Sequence, residues 1–484
     1  MSEESQEYYA DLHCHPTMRL FHNQGKHEDK SYWKENYNQV IDTSLARWVS
    51  KMSDDVAKVS QTTFEHCLKG RVRILFDSLY PIERGFVRFR KIPEAILGEK
   101  TFETVVVTSS GVSSEQFHRF RNSDDYFGEL EEQYELLTSK QGPSEDGTGA
   151  FKVVNSYSEM KTFLDADPNH VAIIVTIEGA HAFGCGTPTT EKMPEDELTQ
   201  QVLANIQKVK NWEHPPFFIT FAHHFWNQLC GHAATLPTVS RFTCNQNPHL
   251  NEGITPLGWK VLEALLSREN GKRILIDTRH MSAKARMEYY DYIAQHNKAH
   301  PEDRIPVISS HAATNGFDTM EASWQVKDNM AKKKSTPFCS WSLNISAEEM
   351  NCIHDSGGMV GIILDKGRHS GVKVLESIES IQDPIRKKEA FVKLILDNIF
   401  ALVSAVGKKS AWDVLMLGTD FDGVITHFEQ WENLSKMPEL KKDFIHYLRE
   451  YKYKEALWFG YTPEEIFHKI FMTNSLEFLE RNFK

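Results

Sequence analysis

Short apolar runs, each closing on polar or metal-ligating residue types and each followed by helical periodicity, recur along all 484 residues. That alternation is the strongest constraint on the fold, because consecutive strand and helix units build a parallel sheet with helices over its faces. Eight runs qualify as strands: residues 8–14, 72–79, 171–178, 217–221, 273–277, 306–310, 359–364 and 414–420. Eight is the count of a closed parallel barrel, whose functional residues gather at the C-terminal ends of its strands. The expected fold is therefore α/β, a (β/α)8 TIM-type barrel with helical and loop insertions.

The connecting segments agree. Leu198, Val202, Ile206 and Val209 share one helical face behind Pro194, and Thr462-Pro463-Glu464-Glu465 reads as a capping box opening a last helix with Ile466, Phe467, Ile470 and Phe471 inward. Three stretches exceed what a minimal barrel needs. Residues 16–70 carry Trp33, Tyr37 and Trp48. Residues 111–156 contain an amphipathic helix over Tyr126, Leu130, Tyr134 and Leu137, then a flexible Gly/Pro/Ser loop at 141–147. Residues 315–341 include the lysine run 332–334. All three are read as insertions on a single barrel domain spanning residues 1–484.

Composition narrows the function classes. A formal net charge of -12 disfavours nucleic-acid binding as the main role. Seven cysteines with no close pairing suit reduced thiols, and Cys14 reads as a small buried residue. The acidic start reaches its first strand without a signal-like segment, and no run is long enough to span a bilayer, so a cytoplasmic protein with no membrane partner is expected. A homodimer is compatible with the sequence without being read from it.

Asp11-Leu12-His13-Cys14-His15 puts two imidazoles on one side of a strand end, where both can reach one ion. Alone the pattern is weak, since 22 histidines in 484 residues give about one such pair by chance. The other strand ends supply the context: Glu178 in Ile177-Glu178-Gly179-Ala180-His181, then His223, His280, His311, and Asp420 in Gly418-Thr419-Asp420-Phe421-Asp422-Gly423. Two neighbouring cations need about six side-chain ligands, including a bridging carboxylate, and this set supplies them. Zn2+ is the expected metal, because imidazole and carboxylate donors suit it.

With Ile219-Thr220-Phe221-Ala222-His223, Gly253-Ile254-Thr255-Pro256-Leu257-Gly258, Ile276-Asp277-Thr278-Arg279-His280 and Pro306-Val307-Ile308-Ser309-Ser310-His311, these segments resemble, in order, the membrane (renal) dipeptidase family of binuclear zinc peptidases, within the amidohydrolase superfamily. The resemblance implies two divalent metal ions held by His13, His15, Glu178, His280, His311 and Asp420, with Glu178 bridging and His223 facing the substrate. It implies hydrolysis of an amide bond in a small substrate, a dipeptide first, by a metal-activated hydroxide. Asp420 would carry the proton and His223 would donate to the oxyanion, giving a catalytic set of Asp420, Glu178 and His223. The alternatives are a phosphoesterase of the polymerase-and-histidinol-phosphatase type, similar only over Asp11 to His15, and a non-catalytic barrel used for binding.

Two departures from the family pattern bear on the site. His15 stands where the family has aspartate, which leaves the site one unit more positive. Leu343, beside Asn344, stands where the family's carboxylate-binding arginine would be. Arg279, Lys366 and Arg368 are the candidate replacements, and the expected substrate-binding set is His223, Asn344 and Arg368. Asp422 is expected to be structural, accepting backbone N–H groups in the tight turn before Gly423.

Overall fold

The computed structural model describes residues 7–23, 31–37, 44, 47, 58–88, 98–236, 244–324 and 337–484. Trp48 and the lysine run at 332–334 lie outside the described residues. Ten strands run in chain order: β1 Tyr9–Cys14, β2 Val72–Leu79, β3 Gly142–Pro143, β4 Ala150–Val153, β5 His170–Glu178, β6 Phe218–Thr220, β7 Leu275–Asp277, β8 Ile308–Ala312, β9 Met359–Ile362 and β10 Leu415–Leu417. Each of the eight candidate runs overlaps one of them, β5 beginning one residue before its run and β8 ending two residues after. The path β1-β2-β5-β6-β7-β8-β9-β10 is parallel throughout. Strands covered on both faces must be apolar on both, which is why they read as continuous runs such as Val171–Ile177 rather than alternating ones.

Closure is made by hydrogen bonds between the first and last strands. The N–H of Asp420 donates to the carbonyl of His13 (2.9 Å), and the N–H of His15 donates to that of Phe421 (2.9 Å). The buried carboxylate of Asp11 seals the same seam, accepting from the N–H (2.9 Å) and hydroxyl (2.6 Å) of Thr419. Within the barrel the neighbouring backbones leave no room for side chains at two points. A Cβ on Gly361 would stand 1.8 Å from the carbonyl oxygen of Ser310, and one on Gly418 2.1 Å from the same atom.

The insertion regions add structure of their own. The stretch expected to be a flexible loop at 141–147 instead contributes β3, which pairs antiparallel with β4 (Gly142 with Phe151, Pro143 with Ala150). Nine residues long, β5 has edge to spare: β4 lies along its first residues and β6 along its last two. The helices Glu99–Ser110 and Ser114–Asn122 close a second, smaller core with Met18, Phe21, Tyr80 and Ile82 just beyond the end of β2. The helix Tyr126–Ser139 runs where the periodicity places it, and Glu195–Lys210 buries the expected Leu198, Val202, Ile206 and Val209. The capping box at Thr462 forms with both reciprocal hydrogen bonds, and its helix passes through a π turn at Lys469–Thr473. Among the described residues, no helix is long and apolar enough to cross a membrane.

His369, beyond β9, is fully buried and donates through Nε2 to the carbonyl of Ile363 (2.6 Å). Burial pushes its imidazole down to about 4. A depressed histidine stabilises the fold above its unfolded value near 6.5 and loses that contribution as pH falls toward 4. Denaturant unfolding from pH 7 to pH 5 should therefore show a loss of about 2 kcal/mol assignable to this group. His369→Gln, which keeps the donor and cannot titrate, should flatten the profile by that amount; an unchanged slope would contradict the assignment.

Candidate metal centre

Glu178, the last residue of β5, is buried at the C-terminal mouth of the barrel, and four imidazoles converge on it from β1, β7 and β8. His13 Nε2 lies 3.4 Å from Oε1 and His15 Nε2 3.3 Å from Oε2. His280 Nε2 and His311 Nε2 lie 3.5 and 3.7 Å from Oε1. The imidazoles fall into two pairs, with Nε2 atoms 3.1 Å apart in His13 and His15 and 3.2 Å apart in His280 and His311. Asp420 completes the ring, with Oδ1 3.4 Å from His15 and Oδ2 4.0 Å from His311. All six residues that the sequence nominates as ligands are thus brought together.

The donor set fits two cations. Two ligand atoms held at about 2.0–2.1 Å by a tetrahedral cation stand roughly 3.3–3.4 Å apart, close to the separations within each His, His and Glu178 triad. The outer ring nitrogens of His15 and His311 support the fit. His15 Nδ1 donates to the carbonyl of Ser78 (2.9 Å), which leaves the Nε2 lone pair for the centre. His311 Nδ1 lies 2.8 Å from Ser310 Oγ, whose own hydroxyl donates to Asp277 (2.6 Å), so the same tautomer is set through a relay. Asp277 is fully buried and also accepts from Thr220 Oγ1 (2.6 Å) and the N–H of Ser310 (2.9 Å), tying β6, β7 and β8 together beneath the ligands.

Burial and neighbouring charge divide the protons. Burial, reinforced by His223 for His280 and by His13 for His311, holds both imidazoles well below their usual range. Burial opposes the charge on Glu178 as well, but His223 and His13 outweigh it and keep the carboxyl well below normal. His15, also opposed by burial, is held well above its usual value by Asp420 and Glu178. His280 (φ 66) and Asp420 (φ 61) both take the left-handed conformation where the chain leaves its strand, a conformation uncommon outside glycine that concentrates at functional sites.

His223 lies three residues past β6, with Nε2 3.5 Å from Glu178 Oε2. Its partner on the other side, Glu83, is a residue that sequence reasoning missed. The Glu83 carboxylate is buried beyond the end of β2 and accepts from His223 Nδ1 (2.6 Å), from the backbone N–H groups of His224 (3.2 Å) and Phe225 (2.9 Å), and from the Tyr80 hydroxyl (3.2 Å). The charge of His223 and its hydrogen bond, helped by His181 and His224, hold the carboxyl at about 2 despite its burial. The Glu83 loop is itself fixed by the buried ion pair of Arg84 with Glu129. His224 was also missed; it joins His223 and His280 in a further histidine group.

Around the mouth, Arg279 is buried and donates through Nη1 to the carbonyl of Leu343 (2.8 Å), while its Nε forms no hydrogen bond. Burial and Arg368 lower the guanidinium to about 9, with Asp420 close enough to act against them. Asn344 spends both amide protons on the carbonyls of Cys339 (3.0 Å) and Arg368 (2.8 Å). Arg368 donates to the carbonyl of Thr235 (3.0 Å) and stands 5.4 Å over the Trp341 ring. Lys366 is held away by Glu379 (2.7 Å) and Glu429 (2.8 Å). Asp422 accepts backbone N–H groups as expected of a structural carboxylate, but from Gln61 (2.9 Å) and Thr62 (3.0 Å) rather than from its own turn. It therefore anchors the end of β10 to a loop about 360 residues earlier in the chain.

No model of a known protein family matches the chain, and no characterised protein matches it by sequence. Solved structures do match. A metallopeptidase from Rhodobacter sphaeroides, solved with a phosphinate mimic of the dipeptide L-Ala-D-Ala, aligns at 15% identity with a TM-score of 0.50, covering 98% of this chain and 99% of that one. The dipeptidase AC, also a metallopeptidase, aligns at 15% identity with a TM-score of 0.48, covering 98% of each chain. The first of these likenesses shows a shared fold.

If the two triads hold cations, purified protein that has never met a chelator should carry about two transition-metal ions per chain by elemental analysis. Glu178→Gln should lose most of that content, because a neutral amide is a poor bridge. Asp277→Asn, which disturbs the relay behind His311 together with the ties from Thr220 and the Ser310 N–H, should weaken metal affinity by about 10- to 100-fold. Folded wild-type protein free of transition metal would contradict the reading.

Proposed function

We propose that the protein is a metal-dependent hydrolase of the membrane dipeptidase type, cleaving an amide bond in a dipeptide or closely related small substrate. One observation carries the reading: two histidine pairs share the Glu178 carboxylate at separations that suit two adjoining tetrahedral cations, here assigned as Zn2+. The shared fold with a metallopeptidase bound to a dipeptide mimic supports the substrate class. His13, His15, Glu178, His280, His311 and Asp420 would hold the pair of ions. When bound, the ions supply Lewis-acid polarisation of the substrate carbonyl and acidify water at the centre.

The chain's own residues supply the remaining steps. Asp420, the more exposed of the two central carboxylates, accepts the proton released by the attacking water at a carboxylate oxygen and passes it to the leaving amine. His223 presents Nε2 toward the same space and donates to the oxygen on which negative charge develops. Glu83 holds that ring through Nδ1, so the donor is oriented before the substrate arrives. Burial of Glu178, His13 and His15 keeps bulk water from competing for these contacts.

Arg279 is the strongest candidate for the missing carboxylate anchor. Where the family pattern has an arginine at the position of Leu343, this chain brings the Arg279 guanidinium to the Leu343 carbonyl from the end of β7. Asn344 binds the loop of Arg368 and lies 3.5 Å from Arg279, so both guanidiniums are positioned from one amide. Lys366, already paired with two glutamates, is excluded from that role. The phosphoesterase alternative has only Asp11 to His15 behind it, and a purely binding role leaves a complete donor set without a use.

A screen of free L-L and L-D dipeptides against their C-terminal amides tests the proposal. Free dipeptides should be cleaved, with kcat/KM falling about ten- to a hundred-fold on amidation, the value of one charge-assisted contact. Arg279→Met should raise KM for the free dipeptide by a similar factor and leave the amide little changed. Asp420→Asn should depress kcat severely, and His223→Ala by about 10²–10³-fold. Indifference to amidation would remove the carboxylate anchor, and failure to cleave any amide would remove the dipeptidase reading.

A further inference from the structure

A second feature lies at the opposite end of the barrel, at the N-terminal ends of β6, β7 and β8, where a cavity of about 390 Å³ opens beside residues 481–484. Its floor is apolar, built on Phe217 and Phe483, whose ring centroids stand 5.2 Å apart. Its wall carries Arg268, Lys272, Arg273, Arg304, Arg481 and Lys484, and no acidic side chain among the described residues lines it. One carboxylate pairs directly with the wall. Asp303 pairs with Arg273 (2.5 Å) and Arg268 (3.1 Å), so a single negative charge is shared between two guanidiniums. Lys272 donates to the backbone carbonyl of Asn155 and stands 5.8 Å from the Phe483 ring. Arg304 donates to another carbonyl, that of Asp355 (2.5 Å). Carbonyls orient these cations without neutralising them.

Gathering six cations around one concavity is costly, because their mutual repulsion is offset by few carboxylates: Asp303 is shared between two of them, and Glu159, which acts on Lys272, is already paired with Lys152. An anion carrying several charges would reverse the balance, and the geometry of the wall suits one. Guanidinium groups bind phosphate oxygens in a forked, bidentate manner, and the aromatic floor offers a seat to an apolar body. We propose that this cavity is a binding site for a small, multiply charged phosphate compound, remote from the metal centre and independent of it. The tripolyphosphate group, alone or esterified to a small organic body, has the charge and size the wall accommodates.

Calorimetric titration of the full chain with inorganic tripolyphosphate tests the site, with orthophosphate as the comparison. A phosphate probe could also seek the metal centre, so the Glu178→Gln protein is titrated in parallel. Saturable binding of one tripolyphosphate per chain is expected, equal in wild type and Glu178→Gln and at least tenfold tighter than orthophosphate. Arg268 and Arg481 are exposed, so the double variant Arg268→Glu, Arg481→Glu should keep the wild-type thermal midpoint within a few degrees and weaken binding at least tenfold. A single Lys272→Gln variant provides a second reading and should weaken binding by a smaller factor. The proposal is overturned by absence of saturable binding, by binding that survives the charge reversals, by binding lost in Glu178→Gln, or by orthophosphate binding as tightly as tripolyphosphate.

Discussion

The structure depends on a crowding of donors that would be unfavourable without positive charge. Four imidazole Nε2 atoms and two carboxylates meet within a few ångströms in a buried space, and the nitrogens of each histidine pair stand at hydrogen-bond distance. Protonation can relieve one such contact, and Asp420 and Glu178 favour it at His15. Cations relieve all of them at once. Much of the barrel serves to hold this arrangement: Asp11 closes the seam beneath His13, Asp277 spans three strands beneath His311, and Asp422 moors the end of β10 beyond Asp420.

Those supporting carboxylates show where sequence reading succeeds and where it stops. The strands and ligands were legible because each signal is local. An apolar run ending in His or Glu is visible in a window of ten residues, and a barrel converts eight such ends into one site. The capping box at Thr462 and the buried face of Glu195–Lys210 were legible for the same reason. Glu83 was not, because its role depends on His223, 140 residues away, and on a loop whose path is set by the Arg84 and Glu129 pair. Asp422 was recognised as structural, but its partners across the barrel seam could not be read from its own turn. The hairpin of β3 and β4 was missed because Gly and Pro mark a turn locally, whereas the spare edge of β5 that recruits it is a property of the assembled sheet.

The arginine question has a similar form. A single position, Leu343, appeared to lose the substrate anchor, yet the Arg279 guanidinium reaches the backbone of that same residue from another strand end. A barrel allows such an exchange because neighbouring strand ends lie within one side-chain length of a common centre. His15 in place of a carboxylate and buried Arg279 both make the mouth more positive. The cationic cavity lies at the other end of the barrel, so the two sites read as separate electrostatic features of one molecule whose overall charge is negative.

Anomalous diffraction from crystals of the full chain, collected above and below the absorption edge of zinc, tests the central claim most directly. The account predicts two peaks on either side of the Glu178 carboxylate, one against His13 and His15 and the other against His280 and His311, each within about 2.3 Å of its donor atoms. A single peak, or two that do not share Glu178, would contradict it.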